Sequence, residues 1–142
     1  LTGFPYQTSA AKPIERSPWV DYNSRTAYFG DDGGSVYVVT STGTSLSGYP
    51  YSISSSIKIT SSPLYLGGVI AVGANDGQLY FIDRQNGSNA PNLFRRFFIT
   101  GDGSVSTVSY NSNTQAYMVA SSDGKLVFIN GSDVADLTPS TE

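Results

Sequence analysis

The chain has 142 residues, a charged fraction of 13% and a net charge of −3, and it contains neither cysteine nor histidine. The basic residues form no cationic stripe, which argues against a nucleic-acid partner, because phosphate neutralisation needs one. Without Cys or His there is no disulfide framework, no thiolate chemistry, and neither a Ser-His-Asp hydrolase nor a zinc hydrolase in this chain alone.

Ser, Thr, Gly, Asn and Tyr dominate, so strand and turn formers outweigh helix formers and an all-β fold is expected. The N-terminal Leu1-Thr2-Gly3 has neither the basic nor the apolar region of a signal peptide, so the sequence reads as cut from a longer chain or as processed. Gly3-Phe4-Pro5-Tyr6-Gln7-Thr8 is the first strand candidate. Ser17-Pro18-Trp19-Val20 follows, then a turn at Asn23-Ser24-Arg25 and an apolar hairpin over 29–40 that turns at Gly33-Gly34. The same order then returns: Gly48-Tyr49-Pro50-Tyr51-Ser52-Ile53, Ser62-Pro63-Leu64-Tyr65, a turn at Gly67-Gly68, and a hairpin over 72–83 that turns at Asp76-Gly77. A third pass gives Phe94 to Ile99 without the proline, Ser106-Thr107-Val108-Ser109, a turn at Asn111-Ser112-Asn113, and a hairpin over 119–130 that turns at Asp123-Gly124.

The three hairpins align without gaps over twelve positions, and their glycines Gly34, Gly77 and Gly124 are 43 and 47 residues apart. Asp-Gly and Gly-Gly suit tight turns that need positive φ. Each unit offers four strands: A from Ser-Pro, B and C around the turn, and D from the Gly-aromatic-Pro-Tyr segment. Proline fits D to an outer edge, where a missing N–H costs little. Four-stranded sheets at this period predict an all-β, β-propeller-type array of antiparallel blades. The whole of 1–142 is read as one repeat domain, with units at about 3–47, 48–93 and 94–139. That makes twelve strands, or about three blades, too few to close a ring alone. The expected remedy is a second copy, the rest of a parent chain or another protein. In the first case each N-terminal D strand would pair near Phe128 of the other copy in a six-bladed ring.

The stretch Gly68 to Gly87, with Val72-Gly73-Ala74-Asn75-Asp76-Gly77-Gln78-Leu79-Tyr80 at its centre, resembles the blade repeat of PQQ-type, quinoprotein-like propellers. It is also similar to the propeller of type IV pilus-tip adhesins, and Gly43 to Pro50 is similar to FG-GAP-like repeats. The resemblance covers nearly the whole chain and implies the fold; these families span enzymes, scaffolds and adhesins. Quinone binding would call for a stacking Trp, acidic calcium ligands and often a Cys pair. Here Trp19 is the single Trp, in an A strand, and no blade-docking Trp follows Gly87. The loops 21–26 and 110–115 stand where an FG-GAP calcium loop would be, with too few carboxylates for calcium.

Two sets of residues are candidate binding groups. Asp31, Asp32, Asn75, Asp76 and Asp123 lie at B–C turns, where their side chains would form a cation or sugar-hydroxyl site if they converged. Turn chemistry alone also accounts for them. Phe4, Tyr6, Tyr49, Tyr51, Phe94, Phe97 and Phe98 mark the D strands and would stack on sugars or anchor a partner; packing between sheets is the plainer reading. Tyr37 and Tyr80 match each other in strand C and are read as structural. Asn86-Gly87-Ser88 and Asn130-Gly131-Ser132 are sequons at C–D turns, and Arg95-Arg96 is either an anion patch or an edge-strand device. No residue is nominated as catalytic or metal-binding, and calcium is the only cofactor kept in view.

The sequence is therefore expected to be a non-catalytic binding or scaffolding module, extracellular, on the cell surface or periplasmic, of bacterial type. It would serve adhesion, filament or surface assembly through protein or carbohydrate contacts. The alternatives are part of a PQQ-dependent dehydrogenase-like enzyme and an envelope-assembly scaffold. No run of apolar residues reaches the roughly 18 needed to span a membrane.

Overall fold

A computed structural model describes residues 3–84 and 90–135. Eleven strands form three antiparallel sheets among these residues, followed by one short helix. The first sheet runs β1 (Trp19–Asp21), β2 (Thr26–Gly30), β3 (Ser35–Thr40) and β4 (Tyr51–Ser52). The second runs β5 (Leu64–Leu66), β6 (Val69–Gly73), β7 (Gln78–Asp83) and β8 (Asn92–Phe98). The third runs β9 (Val105–Asn111), β10 (Ala116–Ser121) and β11 (Leu126–Asn130), with α1 (Gly131–Ala135) behind it. The sheets succeed one another as open, propeller-like blades and close no ring. No helix among the described residues is long and apolar enough to cross a membrane.

The B–C hairpins take the register that the repeat implies. Gly30 opposes Val36 and Gly73 opposes Leu79, each pair flanking its glycine turn. The A–B corners close on short polar side chains. Asp21 Oδ1 accepts the Asn23 amide at 3.0 Å, and Asn111 Oδ1 accepts the Asn113 amide at 2.9 Å. The loops aligned with a calcium loop thus spend these oxygens on their own backbone.

Strand alternation sends successive side chains to opposite faces of a blade, and the second blade has both faces covered, one by the first blade and one by the third. This is why B and C read as near-continuous apolar runs. Tyr28, Val36 and Val38 of the first blade meet Ile70, Val72, Tyr80 and Ile82 of the second. Ala71, Leu79 and Phe81 on the second blade's other face meet Tyr117, Val119 and Ile129 of the third. Each fully buried Leu, Ile or Phe in these seams contributes about 1.5–3 kcal/mol from removal of apolar surface from water.

The D strands depart from expectation. Residues 3–8 form no strand, so there are eleven strands where twelve were expected. Strand β4 is only Tyr51–Ser52, starting just after Pro50, whose ring nitrogen has no hydrogen to give to a ladder. The third blade has no D strand among the described residues. The unpunctuated third copy of the motif makes the longest D strand, β8. Arg95 and Arg96 lie in it, on a sheet edge, as an edge-strand role requires. Of the two sequons, Asn130 ends β11 and the first, at 86–88, lies outside the described residues.

Candidate functional site

The turn carboxylates are each consumed close to home. Asp31 is 1% exposed; its Oδ1 accepts the amides of Gly33 and Ser35 at 2.9 and 3.0 Å, and its Oδ2 accepts the Tyr37 hydroxyl at 2.9 Å. Asp76 accepts the Gln78 amide at 3.1 Å and the Tyr80 hydroxyl at 2.5 Å. Tyr37 and Tyr80 therefore tie strand C back to its own turn, which is the structural role read for them. The tie comes from different turn positions, Asp31 and Asp76, so an alignment alone cannot pair them. The third copy has Val127 where the tyrosine stood, and Asp123 instead accepts the Ser121 hydroxyl and the Thr100 hydroxyl at 2.5 Å, with Lys125 Nζ 3.2 Å away. The Ser121 and Thr100 hydroxyls, then Lys125, hold this carboxyl well below the usual range.

Asp32 and Asn75 link blade to loop. Asp32 pairs with Lys58 Nζ at 2.9 Å, and Asn75 Oδ1 accepts the Lys58 amide at 2.7 Å. The geometry thus brings Asp32, Lys58 and Asn75 together but gathers no carboxylate cluster. Among the described residues no three acidic, His or Cys side chains are grouped to hold a metal ion.

The aromatic candidates divide in two. Phe94 and Phe97 pack on Phe81, with centroids 6.5 and 5.8 Å apart, inside the second seam. Tyr49 is buried and donates to the Arg84 carbonyl at 3.2 Å, and the Tyr51 hydroxyl accepts the Leu93 amide at 2.9 Å. These four serve packing between blades and offer no free stacking face. Phe98 is well exposed. Phe4 and Tyr6 behave differently. Tyr6 stands edge-on to Phe29 and Tyr37 at 6.1 and 6.5 Å, and its hydroxyl meets Ser45 Oγ at 2.7 Å.

Together Phe4 and Tyr6 wall a groove of about 600 Å³ on the outer face of the first blade. Ile14, Val20, Phe29 and Val39 complete its apolar lining. Phe4, Ile14, Val20 and Tyr22 remain exposed there. The sequence reading missed Ile14, Val20 and Tyr22. The parity of the strands was the available signal, since Phe29 and Val39 must face away from Tyr28 and Val38.

A second cluster missed from sequence is the corner between the first two blades. Trp19, Tyr28 and Tyr65 pack on one another, with Tyr28 stacked on Tyr65 at 4.6 Å. The Arg84 guanidinium lies 5.5 and 5.1 Å from the Tyr28 and Tyr65 centroids, and its Nη1 donates to the Tyr65 hydroxyl at 3.1 Å. Burial raises the Tyr28 phenol's pKa, with the nearby arginine opposing.

No protein-family model matches the chain, and no curated protein matches it. Solved structures do. The likeness to BamB from Moraxella catarrhalis has a TM-score of 0.64 at 14% identity, over 87% of this chain and 35% of that one. The computationally designed Ika4 protein gives 0.56 at 17% identity, over 78% of this chain and 63% of that one. The designed Ika8 protein gives 0.54 at 19% identity, over 78% and 32%. The fold is propeller-like. The chain spans less than two thirds of each of these relatives, and at such identities the likeness concerns the fold alone.

Proposed function

We propose that this chain is a non-catalytic, extracytoplasmic binding and scaffolding module that engages a protein partner through the open face of its first blade. The groove walled by Phe4, Tyr6, Ile14 and Val20 carries this reading. It is apolar and open, which suits a protein surface better than a sugar, whose hydroxyls need convergent polar groups. The turn carboxylates that would have served a sugar or a cation are already engaged: Asp31 and Asp76 by their own hairpins, Asp32 by Lys58, and Asp123 by Ser121, Thr100 and Lys125. A chain poor in charge and free of cysteine is consistent with work outside the cytoplasm.

The test is a titration with ANS, an anionic dye whose aromatic rings report apolar surface, followed by backbone amide chemical shifts. Shifts should gather at Val20, Ala27, Phe29 and Val39, and Val20→Asp should weaken dye binding at least tenfold. Shifts confined to the B–C turns would place the binding face elsewhere and refute the reading. After incubation with PQQ and calcium and removal of free PQQ by gel filtration, the protein should carry no quinone absorbance; retained quinone that a reductant bleaches would favour the enzyme alternative.

A further inference from the structure

The segment over residues 3–14 sits on the first blade as residues 48–59 sit on the second. One contact recurs three times: Asp32 N donates to Pro13 O at 3.0 Å, Asn75 N to Lys58 O at 3.0 Å, and Ser122 N to Ser104 O at 2.9 Å. In the first blade the D segment also reaches its own C strand. Tyr51 opposes Val36, Ser52 opposes Ser35, and Ile53 N donates to Gly34 O at 2.9 Å. Tyr6, Gln7 and Thr8 are the repeats of these residues, 45 positions earlier, and among the described residues no strand pairs with them. The N-terminal segment is therefore held as the D strand of a blade that precedes the first.

The third blade shows the opposite vacancy. A Cβ on Gly34 would meet Ser54 O at 2.0 Å, and one on Gly77 would meet Thr100 O at 1.8 Å, because the D segment leaves across each glycine turn. Gly124, in the same turn with φ +88°, has nothing within 4 Å among the described residues. The blade faces agree. Tyr28, Val36 and Val38, and then Ala71, Leu79 and Phe81, are covered by the next blade. Their repeats in the third blade include Leu126 and Phe128, which are 61% and 63% exposed. On the first blade, Phe29 and Val39 repeat Val72 and Ile82, which the preceding blade covers; here they floor the open groove.

We propose that a second copy of this chain closes both vacancies, its third blade packing on the first blade of the other copy. This rests on the reading of the open face as a partner site. The second copy's Leu126 and Phe128 fill the groove floored by Phe29 and Val39. In exchange, Tyr6, Gln7 and Thr8 add a strand to the second copy's β11, with Tyr6 opposite Leu126, Gln7 opposite Lys125, and the Thr8 amide donating to Gly124 O. Both halves of the seam thus occur in one chain in matching register, and the seam occurs twice within it already. The added strand is uncharged and meets the single charge of Lys125, so no like-charge repulsion opposes it. Two seams related by a two-fold axis close the pair, where a single head-to-tail contact would run on. One detail differs. Ile59 and Val105 seat over Gly30 and Gly73, where a Cβ would come within 2.5 and 2.2 Å. Ala120 holds that place in the third blade, so the second copy's Ile14 sits farther from the strand than its repeats do.

Light scattering on the full chain should give twice the 15.1 kDa protomer mass. Gly124→Ala should weaken dimerisation at least tenfold by obstructing Ser9 O of the second copy, and Phe128→Asp should do the same from an exposed position that the single chain does not need. Gly67→Ala, at φ +57° with nothing within 4 Å, should leave the dimer intact. Mixing Gln7→Cys with Lys125→Cys chains under mild oxidation should give a covalent dimer, since cross-strand partners lie within disulfide reach; Gln7→Cys alone should not. A monomer at all concentrations overturns the proposal, as does a dimer indifferent to Gly124→Ala and Phe128→Asp, or a ladder of higher oligomers. A monomer that still binds ANS in the groove would remove the second copy and leave the partner site standing, with further blades of a longer chain as its occupant. A monomer without dye binding would remove both.

Discussion

Replacing Asp31 by alanine separates a structural carboxylate from a ligand. Asp31 is buried and accepts three hydrogen bonds, two from backbone amides and one from the Tyr37 hydroxyl. A hydrogen bond to a charged acceptor contributes about 1.5–3 kcal/mol, and a buried donor left without a partner costs about 1–3 kcal/mol. Tyr37 is itself buried, so its hydroxyl is cut off from water and keeps only the neighbouring Ser9 and Thr8 side chains; the Gly33 and Ser35 amides are only partly buried and recover some of their loss through water. The net expectation is a loss of about 3–4 kcal/mol. At about 3 °C per kcal/mol for a chain of this size, Tm should fall by about 10 °C. Tyr37→Phe alone removes one bond and leaves the other two acceptor contacts of Asp31 in place, so the double variant should show a coupling of about 1–2 kcal/mol. Urea unfolding can be followed by the emission of Trp19, which sits between the first two blades against Tyr28 and Tyr65. A change within 0.5 kcal/mol for Asp31→Ala, or strict additivity with Tyr37→Phe, would refute the structural role and return Asp31 to the list of ligand candidates.

Three further expectations rest on single contacts. Gly77→Ala must place a Cβ 1.8 Å from Thr100 O at φ +76°, so it should cost more than about 2 kcal/mol in a urea melt, against about 1 kcal/mol for Gly67→Ala, which has open space. Asp123 has a carboxyl pKa lowered by the Ser121 and Thr100 hydroxyls and by Lys125, so its contribution is present above the unfolded value of about 3.9 and is lost as pH falls through the depressed folded value. Stability profiles should therefore show Asp123→Asn flattening the acid limb below pH about 4, and an unchanged limb would contradict the assignment. Arg84→Lys keeps the charge but loses the flat guanidinium over Tyr28 and Tyr65; it should cost about 1–2 kcal/mol and shift Trp19 emission, whereas wild-type behaviour would show that the stack contributes little.

The turn side chains show how far the sequence could be read. Asp-Gly and Gly-Gly at the three hairpins give the turns, and the gapless match gives their register, because those are local demands of backbone φ and strand pairing. Which carboxylate a strand-C tyrosine would reach was not legible. Asp31 and Asp76 stand at different places in the repeat, and only the path of each turn decides which oxygen meets the phenol. The groove was half legible. Phe4 and Tyr6 stood out by composition, while Ile14 and Val20 became its walls only when the N-terminal segment folded over the first blade.

Sequence alone determined that this protein is an array of small antiparallel sheets. Alternation of side chains and the conformational needs of tight turns act within a few residues, and the repeat wrote them three times. Tertiary structure decided which strands exist at the edges. The same Gly-aromatic-Pro-Tyr motif yields strand β4 at 51–52 and none at 3–8. A strand is a relation between two backbones: β3 offers the second copy of the motif a free edge, and the first copy finds none within the described chain.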